Sequence, residues 1–194
     1  MKYKLKNRQI NAAGFTLVEV IVVIAVIGIL SAIAIPNFLK WVPGIRLKGA
    51  ARDLYGNMQA TKMVAVKTNK NTAITFDPAN QRYLICNNWD TGTTACTVPQ
   101  QIVDLGSLPN GIGFGHGNAT KQANSAGSAF TALSPDDSVS YTSPTNIVVF
   151  NPQGGCNNAG YVYLDHETAT TTYVVGSLIT GAIKLKRWNG SIWQ

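Results

Sequence analysis

The chain has 194 residues, enough for one domain plus a long anchoring helix, and carries 16 Lys and Arg against 9 Asp and Glu, a formal charge of +7. Four of those basic residues, Lys2, Lys4, Lys6 and Arg8, lie in a short leader without an acid. Removing the leader leaves 12 basic against 9 acidic residues, +3, a balance that demands no polyanionic partner.

After the leader comes Gly14-Phe15-Thr16-Leu17-Val18-Glu19 and then the uncharged apolar run 20–35. Glu19 is the one ionisable side chain between Phe15 and Leu39. At about 1.5 Å per helical residue this stretch is long enough to cross a hydrocarbon core of roughly 30 Å. An ordinary secretory signal puts its small-residue cleavage site after the apolar region. Here the glycine precedes it, so a cut after Gly14 leaves the apolar segment on the mature chain with Phe15 first. Leader positive charge holds the amino terminus inside, so everything after Leu39 faces outward. No later stretch is apolar enough to cross back.

The run from Gly14 to Glu19, with the apolar segment and Pro36 behind it, resembles the prepilin signature of type IV pilins and type II secretion pseudopilins. The resemblance implies that a prepilin peptidase cuts between Gly14 and Phe15 on the cytoplasmic side and methylates the new Phe15 amine. It also implies a single-pass protein of a bacterial inner membrane, its carboxy-terminal domain periplasmic, built into a pilus or pseudopilus beside other pilins. Glu19 falls on the acidic position that pairs with the amino terminus of a neighbouring subunit. A carboxylate deep in a membrane costs roughly 2.5–3.5 kcal/mol on insertion scales, so it persists where a partner exists. Gly28 and Pro36 match positions that bracket a segment able to unwind in the filament; both residues are also tolerated in ordinary membrane helices. Pro36 frees one carbonyl, so the helix is expected to kink or loosen there.

Lys40-Trp41 suits the membrane interface, and Pro43-Gly44 follows at once. Helical periodicity then resumes, with Leu47, Ala51, Leu54, Met58, Thr61 and Ala65 on one stripe. This helix is expected to run to about Val66 and to pack its stripe on a sheet. From Thr72 the texture is β-rich: 72–76 and 82–86 flank Asp77-Pro78-Ala79-Asn80 as a hairpin, and 102–105 is a further strand. The interval 106–138 reads as long loops with one short strand near Phe130. Strands follow at 138–141 and 146–150, then Asn151-Pro152-Gln153-Gly154 as a type I turn. The last strands are expected at 161–164, 171–175 and 179–188. No internal repeat is visible.

Of the three cysteines, an oxidising compartment permits one pair with one thiol left over. Cys86–Cys96 is the expected pair, because the residues between them form a polar loop in need of closure; the chain-entropy gain is about 2–3 kcal/mol. Cys156 is then free. No metal site is expected: there is no Cys-x-x-Cys, and His116 and His166 have no cysteine at ligand spacing. Ser134-Pro135-Asp136-Asp137-Ser138 offers oxygen ligands, yet two adjacent aspartates diverge and are too few for calcium, so a solvated turn is expected. The chain is not expected to be an enzyme or to hold a cofactor. Asp165 and Glu167 would share one face of a strand with His166 on the other, there is no nucleophile elbow, and Gly111-Ile112-Gly113-Phe114-Gly115 leads into no helix.

A basic residue near the end of the long helix, then Phe150-Asn151-Pro152-Gln153-Gly154 before a strand pair and a terminal strand opened by Gly181, resembles the H-class pseudopilins and FimT-like minor pilins. Some FimT-like proteins bind DNA through Gly-Arg-x-Arg in that region. Here Ala182 and Lys184 stand at the two Arg positions. Alternation along the strand puts Ala182, Lys184, Lys186 and Trp188 on one outward face, with Arg187 nearby. That face reads either as a solvated edge or as a weak site for single-stranded DNA in natural transformation.

The expected architecture is therefore α+β: a long membrane-spanning amino-terminal helix packed on an antiparallel β-sandwich. Residues 1–14 are expected as the cleaved leader and 15–40 as the transmembrane half of the helix. Residues 41–70 are its amphipathic periplasmic half, and 71–194 the β-rich periplasmic domain. The expected role is a structural subunit supporting filament assembly and protein secretion.

Overall fold

The computed structural model describes residues 14–90, 96, 98–107, 111–123, 138–141 and 146–194. The chain divides into two compact units, Met1–Lys40 and Trp41–Gln194. A single helix, α1 (Leu17–Thr68), starts in the first and ends in the second. In the first unit nearly every helical side chain is exposed, including Leu17, Ile24, Ile29 and Phe38, and the mean hydropathy of its most apolar window is 2.9. The helix is long and apolar enough to cross a membrane. It is helical through Gly28 and Pro36, and it continues through Pro43-Gly44, where the sequence had suggested an interruption. Each proline removes one backbone donor.

In the second unit α1 buries Leu47, Ala50, Ala51, Leu54, Met58, Thr61 and Ala65, the predicted stripe with Ala50 added. The strands are β1 (Thr72–Asp77), β2 (Arg82–Cys86), β3 (Gln101–Asp104), β4 (Ile112–Phe114), β5 (Ile147–Phe150), β6 (Gly160–His166), β7 (Tyr173–Ser177) and β8 (Ile183–Arg187). They form two four-stranded antiparallel sheets, ordered β3-β2-β1-β5 and β4-β6-β7-β8. One core joins Leu47, Leu54 and Met58 of α1 to Ile74, Phe76 and Tyr83 of the first sheet and to Phe114, Val162, Leu164 and Val175 of the second. Phe76 lies at its centre, stacked on Tyr141 at 5.7 Å and edge-on to Phe114 at 6.2 Å. Fully burying side chains of this size contributes about 1.5–3 kcal/mol each, which is why the stripe, rather than helix propensity, fixes the lower half of α1.

Two polar joints lock the sheets together. At the first, Gln81, in the left-handed region at φ 50°, accepts from Phe114 N through Oε1 at 2.6 Å and from Leu105 N through its carbonyl at 2.8 Å. A side chain at Gly113 would collide with that Gln81 amide. At the second, the turn after β5 meets the turn between β7 and β8. Gly154 N donates to Asn151 O at 2.9 Å, as the predicted turn requires, and Gly154 and Gly181 both have positive φ. A Cβ on Gly181 would overlap Gly154 O, and Lys62 Nζ of α1 donates to Gly181 O at 2.9 Å.

The structure corrects several expected boundaries. Residues 106–138 are not free of structure where described, because β4 crosses Ile112–Phe114. Segment 138–141 is no strand but a single bridge from Val139 to Val162, with Ser140 N donating to Tyr161 O. The seventh strand is Tyr173–Ser177 rather than 171–175. The last strand begins at Ile183, not at residue 179, because Leu178 N–Ala182 O and Gly181 N–Leu178 O bonds make 178–182 a turn. The strand expected near Phe130 and the Asp136-Asp137 turn lie outside the described residues.

Candidate functional site

The amino-terminal motif sits where chain becomes helix. Gly14, Phe15 and Thr16 are non-helical, nothing stands within 4 Å of where a Gly14 side chain would point, and Phe15 is 83% exposed. Thr16 Oγ1 accepts from Glu19 N at 3.2 Å, and Thr16 O accepts from Val20 N at 3.2 Å. Thr16 is thus the helix N-cap and Glu19 the third helical residue, the Thr-x-x-Glu spacing of a capping box with its Thr half formed. Sequence reasoning overlooked the cap although its pattern, a hydroxyl residue three before a glutamate ahead of an apolar run, was in view. An acid in the first turn also favours the positive end of the helix dipole. Glu19 has no ion-pair partner among the described residues, whose one salt bridge joins Arg82 to Asp77 at 3.0 Å. Nothing stands within 4 Å of where a Gly28 side chain would point, and Gly28 and Pro36 are both exposed.

The outer face of β8 differs from its expected form. Lys184 and Arg187 are exposed, but Lys186 is half-buried, and its Nζ donates to Ala123 O at 3.3 Å. Trp188, expected to face outward, is 3% exposed. It is bridged to Trp193, with ring centroids 5.2 Å apart. The chain after β8 turns back, Arg187 and Gln194 exchange two backbone hydrogen bonds, and Trp193 Nε1 donates to Lys121 O at 2.6 Å. Lys121 and Ala123 therefore lie over this face, where Ala123, Tyr163 and Val174 form a small separate core. The structure does not bring Lys184, Lys186 and Trp188 together as an open basic and aromatic stripe.

Other chemistry-bearing groups are separated in the same way. On β6, His166 is buried and its Nδ1 accepts from Thr168 N at 3.1 Å, while Glu167 is exposed past the strand end. Asp165 lies against Gly115 and Gly117; burial pushes its carboxyl above the usual range, a shift that His116, His166 and the Gly117 N–H partly oppose. Among the described residues no three His, Cys, Asp or Glu side chains gather as metal ligands. Cys86 and Cys96 form a disulfide, with Cα atoms 6.2 Å apart. Cys156 is a free thiol, buried, with Sγ donating to Leu178 O at 2.9 Å. The Tyr83 hydroxyl accepts from Asn57 of α1 at 2.7 Å, and burial pushes its pKa up to about 12, so it stays neutral at physiological pH.

Two family profiles match the chain. One describes a prokaryotic N-terminal methylation motif, over residues 10–35; the other describes the type II transport protein GspH, over residues 50–178. The type IV wide pilus major component PilA4 of Thermus thermophilus is 30% identical over 149 residues, which are 74% of this chain and 96% of that protein. The type IV major pilin protein PilA of Myxococcus xanthus is 68% identical over 28 residues, 14% of this chain and 13% of that pilin's length. Among solved structures, the type IV minor pilin FimU of Pseudomonas aeruginosa superposes with a TM-score of 0.48 at 14% identity, covering 76% of this chain and 92% of that one. The minor pseudopilin EpsH of the Vibrio cholerae type 2 secretion system gives 0.43 at 13% identity, covering 72% and 94%.

Proposed function

The chain belongs to the type II transport protein GspH family, with a prokaryotic N-terminal methylation motif ahead of its GspH region, and from that premise we propose that it is a structural subunit of a pilus or pseudopilus. The observation that carries this reading is the amino-terminal arrangement: an exposed Gly14-Phe15 bond, a helix capped from Thr16, and a Glu19 with no ion-pair partner among the described residues at the head of an uncovered apolar helix. A prepilin peptidase on the cytoplasmic side of the inner membrane cuts after Gly14 and methylates Phe15. The cut leaves Thr16 and Glu19 in place, so the cap survives processing. The single apolar helix then holds the subunit in the membrane, with the sheet domain in the periplasm.

During assembly the Phe15 amine of one subunit meets Glu19 of another, which relieves the cost of an unpaired carboxylate in hydrocarbon and fixes axial register. Gly28 and Pro36 lie in the segment that neighbouring helices then cover. The domain contributes packing surface, and energy for extension comes from other proteins of the system.

Mass spectrometry of the protein isolated from membranes tests the reading. The expected result is an N-methylated Phe15 at the amino terminus. An intact Met1, or a terminus beyond Ile35, overturns it.

A further inference from the structure

Away from the motif, a cleft of about 490 Å³ opens at the end of α1, and we propose that it binds a short saccharide. Its rim comes from three places in the chain: Asn69, Lys70 and Asn71 after the helix, Asn88 and Trp89 after β2, and Pro152 in the turn before β6. The rim is pinned. Asn69 ends the helix in the left-handed region at φ 52°, Lys70 N donates to Ala65 O at 3.3 Å, and Trp89 N donates to Asn71 O at 2.8 Å.

The rim side chains have nothing to bind within the described part of the protein. The carboxamides of Asn69, Asn71 and Asn88 and the Lys70 ammonium make no hydrogen bond or ion pair among the described residues, whereas Asp90, the remaining lining residue, already has a partner. Trp89 is the second observation. It is 7% exposed and packs beside the Cys86–Cys96 disulfide with Ala73, Ile147 and Val149, yet its indole N–H has no acceptor among the described residues. A tryptophan whose ring is held this firmly by its neighbours presents whatever edge lines the cleft as a pre-organised contact.

The chemistry selects the ligand class. Each carboxamide offers a donor and an acceptor, which matches hydroxyl groups that both give and take hydrogen bonds. Pro152 supplies apolar contact for the C–H face of a sugar ring, and the edge of Trp89 that lines the cleft adds to it. Lys70 and Asp90 place one charge of each sign on the rim, so the site favours neutral hydroxyl-rich ligands over charged ones.

The full-length chain, labelled with ¹⁵N-tryptophan and held in amine-oxide micelles that carry no sugar headgroup, gives four indole signals for its 4 tryptophans. Trp89→Phe assigns one of them. Titration with galactose, N-acetylglucosamine and galacturonic acid to about 50 mM, well above a weak Kd in the millimolar range, is expected to move the Trp89 signal saturably and leave the other three in place. Asn71→Ala combined with Asn88→Ala weakens the response at least tenfold, and galacturonic acid is expected to bind no better than galactose. The Trp188 and Trp193 signals report folding; if the first pair unfolds, Lys70→Ala with Asn88→Ala, both exposed positions, takes its place. No saturable movement with any of the sugars overturns the proposal. So does movement that survives the carboxamide changes, or movement produced only by a polar peptide such as a Gly-Ser repeat.

Discussion

Gly181 and Gly56 make a sharp pair, because the same substitution is expected to act with opposite sign at the two positions. At Gly181 the backbone sits at φ 74°, and a Cβ would stand 1.8 Å from Gly154 O. Holding an alanine in the left-handed region costs about 1–2 kcal/mol. The collision must also push apart the turns after β5 and before β8, which removes the acceptor geometry of the Lys62–Gly181 bond, a charged hydrogen bond of about 1.5–3 kcal/mol. Gly181→Ala therefore loses about 3–5 kcal/mol, or about 10 °C in the melting temperature of a domain this size. Gly56 lies in the exposed middle of α1 with nothing within 4 Å of its missing Cβ. There an alanine restricts the unfolded chain at no steric cost and gains about 0.5–1 kcal/mol. Urea titration of the full-length protein in micelles, followed by near-ultraviolet circular dichroism of the buried tyrosines, measures both. A Gly181→Ala variant within about 1 kcal/mol of the parent, or a Gly56→Ala variant that loses stability, refutes the reasoning.

Glu19→Ala is expected to leave membrane insertion intact while incorporation into sheared filaments falls; unchanged incorporation removes the register role of Glu19. Cys156 is expected to resist iodoacetamide in the folded protein and to be labelled after urea, with Cys86 and Cys96 found together in a non-reduced peptide; labelling of the native thiol contradicts its burial. Because burial raises the Asp165 pKa above its unfolded 3.8, its contribution to stability is full below that pH and is lost as pH rises through the folded value. Asp165→Asn, which keeps an oxygen for the Gly117 N–H, is accordingly expected to raise the urea midpoint at pH 7 and to give no gain at pH 3.

The α1 stripe was legible because burial of one helix face leaves a period of 3.6 in the chain, and all six residues picked by that spacing are inside. The β1–β2 hairpin was legible from Asp77 and Pro78, whose turn chemistry is local: Asp77 caps the turn by accepting from Asn80 N at 3.2 Å. Burial alone would raise that carboxyl, but hydrogen bonds from Asn80 and Arg82 outweigh it and hold it below its ordinary value. The strand β4 was hidden because Gly111 and Gly113 erase the alternation. Gly113 is bare only because Gln81, 32 positions earlier, occupies the space its side chain would take. The late start of β8 has the same kind of cause, since Gly181 is shaped by Gly154 across the joint.

The contrast between the two candidate sites follows from that distinction. A processing motif must be read by an enzyme as linear chain, so its residues lie together in sequence: Gly14 and Phe15 precede the cap at Thr16, and Glu19 follows one turn later. A recognition surface on a sheet belongs to whatever folds over it. Alternation along β8 sets Lys184 and Lys186 on one face and extends to Trp188 just past the strand, but alternation carries no information about cover. That cover comes from Trp193, Lys121 and Ala123, and it takes Trp188 out of solvent and gives Lys186 a carbonyl to hold. The cleft at the end of α1 is the converse case. Asn69, Lys70, Asn71 and Asn88 read in sequence as ordinary loop residues, and they become a candidate site only because β1 and β2 pair antiparallel and return residue 89 to residue 71.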